Sequence, residues 1–118
     1  MRAAVILALL LTSAAAAVAA PPPTTCGSTG EYQSALCAYQ RREFQAAERG
    51  FRTIMERDAH DPVTLHATYF LARTLMKTGR FDDAAELFVR IYSLDAPFYQ
   101  AWNCDFLLGE CRRAVGKM

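Results

Sequence analysis

The sequence predicts an all-α chain, a solenoid of helix-turn-helix units with about five helices. Three observations carry that expectation. Apolar residues recur at helical spacing: Phe44, Ala47, Phe51 and Ile54 step by 3, 4 and 3, which marks a helix with one buried face. The pattern then repeats. Sliding the chain on itself by 37 residues places Tyr32, Ala35, Phe44, Ala47, Phe51, Ile54, Asp58 and Ala59 on Tyr69, Ala72, Phe81, Ala84, Phe88, Ile91, Asp95 and Ala96. Finally, the stretches between stripes carry helix start and stop signals, and no segment shows the period-2 alternation of a strand.

Each element is read in order. Met1 to Ala19 have the layout of a secretory signal peptide: Arg2, an apolar core from Ala3 to Leu11, then a small-residue run in which Ala17-Val18-Ala19 fits an A-x-A cleavage site. The alternative is an uncleaved anchor. Ala3 to Ala20, rich in Ala and interrupted by Thr12 and Ser13, is marginal for about 30 Å of hydrocarbon, so no stable membrane insertion is expected. Residues 20–30 hold Pro21-Pro22-Pro23-Thr24-Thr25, an extended polyproline-like linker. The domain proper is expected over 31–118. Ser28-Thr29-Gly30-Glu31 has the spacing of a capping box, so a helix should open there and run to about Arg41. A second helix carries the first stripe. Asp61-Pro62 supplies an N-cap and a first-turn proline for a third helix that ends at Thr78-Gly79. Phe81 to about Ser93 forms the fourth. Asp95 caps the fifth, read as one helix from about Pro97 to Val115.

Composition narrows the function. There are 13 Lys+Arg against 12 Asp+Glu, and removal of residues 1–19 takes Arg2 away and leaves the chain neutral. No polybasic face is available for nucleic acid, which is not expected as a partner. His60 and His66 with Asp58 and Asp61 match no zinc spacing and read as a polar loop plus one exposed helical histidine, so no metal or cofactor is expected. No nucleophile elbow, H-E-x-x-H or phosphate-binding loop occurs, and Asp82-Asp83 sit where first-turn acids offset the helix dipole; no enzyme is expected.

The residues Tyr69-Phe70-Leu71-Ala72-Arg73-Thr74-Leu75, then Gly79-Arg80-Phe81, Ala84, Phe88 and Pro97, resemble the tetratricopeptide repeat. The likeness is best over 65–97, fair over 31–62 and weak over 98–118. The family's Trp slot holds Thr68 and Glu31, and the first unit has Ser34 and Arg42 where the family has Leu and Gly. The period of 37 exceeds the family's usual 34, which places three extra residues in the Asp58–Asp61 connection.

The resemblance implies a concave surface, lined by the opening helix of each unit, that grips a peptide or a partner domain. Carried over, the lining positions are Tyr32, Leu36, Tyr39 and Gln40, then His66, Tyr69, Arg73, Met76 and Lys77, with Gln100, Asn103 and Leu107 in the last helix. Tyr and Arg are the residue types enriched at interface hot spots. Arg73 and Lys77, one turn apart, suit a carboxylate. The expected protein is therefore a non-catalytic interaction scaffold of the periplasm or another secretory space. The competing readings are a small disulfide-stapled secreted effector and a redox or metal-handling protein.

Four cysteines in an exported chain argue for two disulfides. Cys104 and Cys111, seven residues apart on one helix, would stand about 10.5 Å apart along its axis and could pair only across a break, for instance at Gly109. Folding the linker back joins Cys26 to Cys37, the expected bridge; a link to the last helix is the alternative.

Overall fold

The computed structural model describes Gly30 to Lys117. These residues form six α-helices: α1 (Glu31–Gln40), α2 (Phe44–Arg57), α3 (Pro62–Lys77), α4 (Phe81–Leu94), α5 (Ala96–Ala101) and α6 (Cys104–Gly116). No strand occurs among the described residues. The described residues are all-α, as the periodicity predicts. None of these helices is long and apolar enough to cross a membrane. The expected signal peptide, its cleavage site and the proline linker lie outside the described residues, as do Ser28 and Cys26.

Packing runs between consecutive helices, with α1 also reaching α3 and α4 reaching past α5 to α6. The two stripes supply the core. Ala47, Phe51, Ala84, Phe88 and Ile91 are wholly buried, and Ile54 is nearly so. The repeat is visible as contacts. The Tyr32 and Phe51 rings meet edge-on at 6.0 Å, and their counterparts 37 residues on, Tyr69 and Phe88, meet at 6.3 Å. The turns repeat as well: Arg42 and Gly79 both take positive φ, 64° and 82°. Arg42 thus adopts a left-handed backbone that glycine accepts without a Cβ penalty. The first unit closes with the four-residue connection Asp58–Asp61, the second with Asp95 alone.

Two caps work as the sequence predicts. The Asp61 carboxylate accepts from the Val63 N–H at 3.0 Å, and that of Asp95 accepts from the Phe98 N–H at 3.0 Å. The start of α1 differs. Its N-cap is Gly30, without a side-chain cap, and the Glu31 carboxylate accepts from Arg57 at 2.5 Å, tying α1 to the end of α2; the Ser28 half of the expected box lies outside the described residues.

The predicted fifth helix is two. Asn103, at φ 55° and ψ 35°, breaks it into α5 and α6. Asparagine is the non-glycine residue that best tolerates this conformation. Gly109, the position expected to permit a break, stays inside α6. Cys104 and Cys111 therefore share one unbroken helix, and both are buried free thiols. The expectation of a second disulfide is corrected, and so is the alternative link from the last helix to the N-terminal segment. Burial pushes the Cys104 thiol up to about 11 and raises Cys111 in the same direction, so both stay protonated and pack as small apolar groups. Cys37, half-buried on α1, is not a free thiol.

Candidate binding face

The opening helices of the two units, α1 and α3, and the short α5 bring a set of rings together. Tyr32 on α1 meets His66 on α3 at 6.4 Å between centroids and Phe70 at 6.5 Å. His66 meets Phe98 on α5 and Trp102, its C-cap, each at 5.2 Å and nearly perpendicular. Phe98 and Trp102 stack at 5.2 Å with 14° between planes. Tyr39 closes the other side, 5.6 Å from Phe70. Each of these six rings is half-buried, so each is fixed by its neighbours yet keeps part of its surface open. The arrangement follows from helix geometry: His66 and Phe70 are one turn apart on α3, and Phe98 and Trp102 one turn apart across the end of α5.

His66 is thus not the exposed histidine the sequence suggests. It sits between aromatic rings on three sides, with Nδ1 3.3 Å from the Pro62 carbonyl oxygen. Among the described residues no three His, Cys, Asp or Glu side chains are placed to hold an ion.

The second part of the face lies toward the C-terminal end of α3. Arg73, Met76, Lys77 and Leu107, all named from the sequence, line one open cleft of about 240 Å³, together with Phe81, Phe106 and Glu110. Phe106 leaves 63% of its surface to solvent. The Arg73 guanidinium lies 5.7 Å from the centroid of the Tyr69 ring and donates to the Tyr69 hydroxyl at 2.7 Å, which holds it at the cleft. Glu110 is occupied by Arg113. Neither Arg73 nor Lys77 has a carboxylate at ion-pair distance among the described residues, whereas Arg52, Arg57, Arg80 and Arg113 do. The cleft therefore offers two cations beside an apolar wall.

Tyr69 needs a correction. Only 6% exposed, it packs against Phe88 and Trp102 and belongs to the core. Its counterpart Tyr32 meets His66 and Phe70 and stays half-open. A Tyr69 variant therefore disturbs folding first, and the tyrosine acts on the face by steering Arg73. Leu36 is half-buried and Gln40 exposed on α1; Gln100 and Asn103 are exposed, the latter spent on the helix break.

Sequence reasoning missed Phe70, Phe98 and Trp102. Phe70 was findable, since His66, Phe70, Arg73 and Lys77 step by 4, 3 and 4 along one face of α3; the match of Tyr69 to Tyr32 drew attention to the neighbouring position. Trp102 was hidden because its place depends on the break at Asn103. A larger open hollow, about 580 Å³ between α4 and α6, is lined by Asp82, Ala85, Glu86, Val89, Arg112 and Val115. It has acids and a base in mixture and no ring, so it presents no defined chemistry of recognition.

No known protein family, curated protein or solved structure matches the chain.

Proposed function

We propose that this chain is a non-catalytic protein-interaction module, a small solenoid of tetratricopeptide-like units that binds an extended segment of a partner protein along the face of α1, α3 and α5. One observation carries the reading: Arg73 and Lys77 lack acidic partners among the described residues and stand beside Met76, Phe106 and Leu107 in one cleft. A cation pair next to an apolar wall suits a carboxylate next to an apolar side chain, the chemistry of a peptide C-terminus or of an acidic residue flanked by a hydrophobic one. The half-buried rings of the same face supply rigid, amphipathic contact area at low entropic cost. The setting is the periplasm or another secretory space, after removal of residues 1–19, with Cys26 joined to Cys37 as a staple over the first helix.

The test is a panel of short peptides with apolar C-terminal residues, each made with a free and with an amidated terminus, titrated by fluorescence anisotropy. Free-carboxylate peptides should bind about tenfold or more tightly than their amides, and Arg73→Ala with Lys77→Ala should erase the difference, since a charge-assisted contact is worth about 1.5–3 kcal/mol. Equal affinity for both forms would show that the cleft does not read a carboxylate.

A further inference from the structure

The spacing of 37 residues continues into α6. Phe106 follows Tyr69 by 37 residues, as Tyr69 follows Tyr32, and Gly109 follows Ala72 as Ala72 follows Ala35. In the earlier units a later helix covers the aromatic: Tyr32 meets His66 and Phe70 on α3, and Tyr69 meets Trp102 at the end of α5. Phe106 meets no ring among the described residues and keeps 63% of its surface in solvent. Gly109, Glu110 and Arg113 follow it at helical spacing, so the four share one side of α6, opposite the buried Cys104, Leu108 and Cys111. Glu110 and Arg113 form an ion pair there. A Cβ at Gly109 would meet nothing nearer than the Arg113 guanidinium at 3.9 Å, so the backbone in the middle of the stripe is open to close approach.

We propose that this stripe pairs with the same stripe of a second copy of the chain, α6 against α6, antiparallel about a two-fold axis between Gly109 and Glu110. The stripe is self-complementary in that register. Phe106 of each copy faces Arg113 of the other, and each Gly109 faces the other's Glu110. A guanidinium over a phenyl face is attractive. Gly109, lacking a side chain, lets the two axes approach to the short end of the usual spacing of about 8–10 Å. Glu110 then lies within one turn of the second copy's Arg113, so the ion pair formed inside each helix is shared between two. Parallel helices would instead set Arg113 on Arg113 and Glu110 on Glu110, like charge on like. Head-to-tail stacking of copies is disfavoured as well. The groove between α1 and α2 is floored by Ala35, Ala38, Ala46 and Gly50 and offers Phe106 no ring or long apolar side chain. Since Phe106 and Glu110 also line the cleft of Arg73 and Lys77, pairing brings the second copy's Arg113 to the edge of that cleft. That consequence rests on the proposed function; the pairing itself does not.

Sedimentation equilibrium of the chain beginning at Ala20, from about 10 µM to about 1 mM, tests the pairing. One helix face makes a small interface, so the mass should rise from one chain to two with a midpoint on the order of 100 µM and stop there. Phe106→Ser removes an exposed side chain and Arg113→Glu sets acid against acid; each should weaken pairing about tenfold or more, with circular dichroism verifying that both variants are folded. The double swap E110R/R113E restores opposite charges and should recover most of the lost pairing. A mass of one chain at the highest concentration overturns the proposal, and so does a mass that climbs past two. Pairing of Phe106→Ser as tight as the parent's places the contact on another face and overturns it too. A double swap as weak as Arg113→Glu alone overturns the antiparallel register. No peptide is present in these measurements, so they stand or fall apart from the peptide titration.

Discussion

Arg42 shows most plainly how one residue can run against its position. It ends the first hairpin turn at φ 64°, where the second unit has Gly79 at φ 82°. A left-handed conformation costs a residue with a Cβ about 1–2 kcal/mol. The Arg42 guanidinium 5.4 Å from the Phe44 ring centroid returns about 0.5–1 kcal/mol. Arg42→Gly should therefore stabilise the fold by about 0.5–1 kcal/mol, raising the melting temperature by a few degrees. A lower melting temperature would mean that the arginine's contacts outweigh its backbone cost. Gly50 shows the reverse constraint. A Cβ there would stand 2.7 Å from the Cβ of Ala35, and neither atom is the end of a flexible chain, so α1 and α2 would have to move apart. Gly50→Ala should destabilise by about 1–3 kcal/mol despite the better helix propensity of alanine, checked by urea unfolding.

Between elements, Glu48 links α2 to the start of α4. Its carboxylate accepts from Arg80, the N-cap of α4, and from Arg52 at 3.1 Å on its own helix. Partial burial pushes its pKa up, but the hydrogen bonds and charges of Arg80 and Arg52 outweigh that and hold it below the ordinary 4.5. A carboxyl depressed in the folded state contributes stability that is complete above its unfolded pKa and is lost as pH falls through the folded one. Unfolding followed from pH 7 down should thus show stability declining below about pH 4.5, and Glu48→Gln should flatten part of that decline while lowering stability at pH 7. A variant with the parent's slope and stability would remove Glu48 from the link. The last helices make a related point. Caps and stripes made α3 and α4 legible within a residue or two, because proline, glycine and Asx signals coincided with the apolar period; for α2 the stripe marked the helix but not its ends. The break at Asn103 was not legible. No proline or glycine marks it, and the six residues of α5 are too few to show a period of their own.

At the scale of the whole molecule, positions 37 residues apart share a ring contact and a left-handed turn, and the all-helical class of the described residues was readable from one sequence. The face was readable in part. Arg73, Met76, Lys77 and Leu107 were placed by the family resemblance, and they share a cleft. Register could not distinguish Tyr69 from Tyr32, because burial of the former depends on Trp102, a residue from beyond the repeat. A periodic pattern tells which side of a helix faces inward; it does not tell how many neighbours will close over that side.

The central claim is that binding belongs to the face of α1, α3 and α5 and the cleft beside it. Amide chemical-shift mapping of the uniformly labelled protein, titrated with a free-carboxylate peptide from the panel above, tests it most directly. The account predicts shifts concentrated at Tyr32, Tyr39, His66, Phe70, Trp102 and the Arg73–Lys77 turn, with the exposed residues of α2 and α4, such as Arg49, Thr53 and Arg90, unmoved. Shifts concentrated instead on α2 and α4, or around the hollow between α4 and α6, would contradict it.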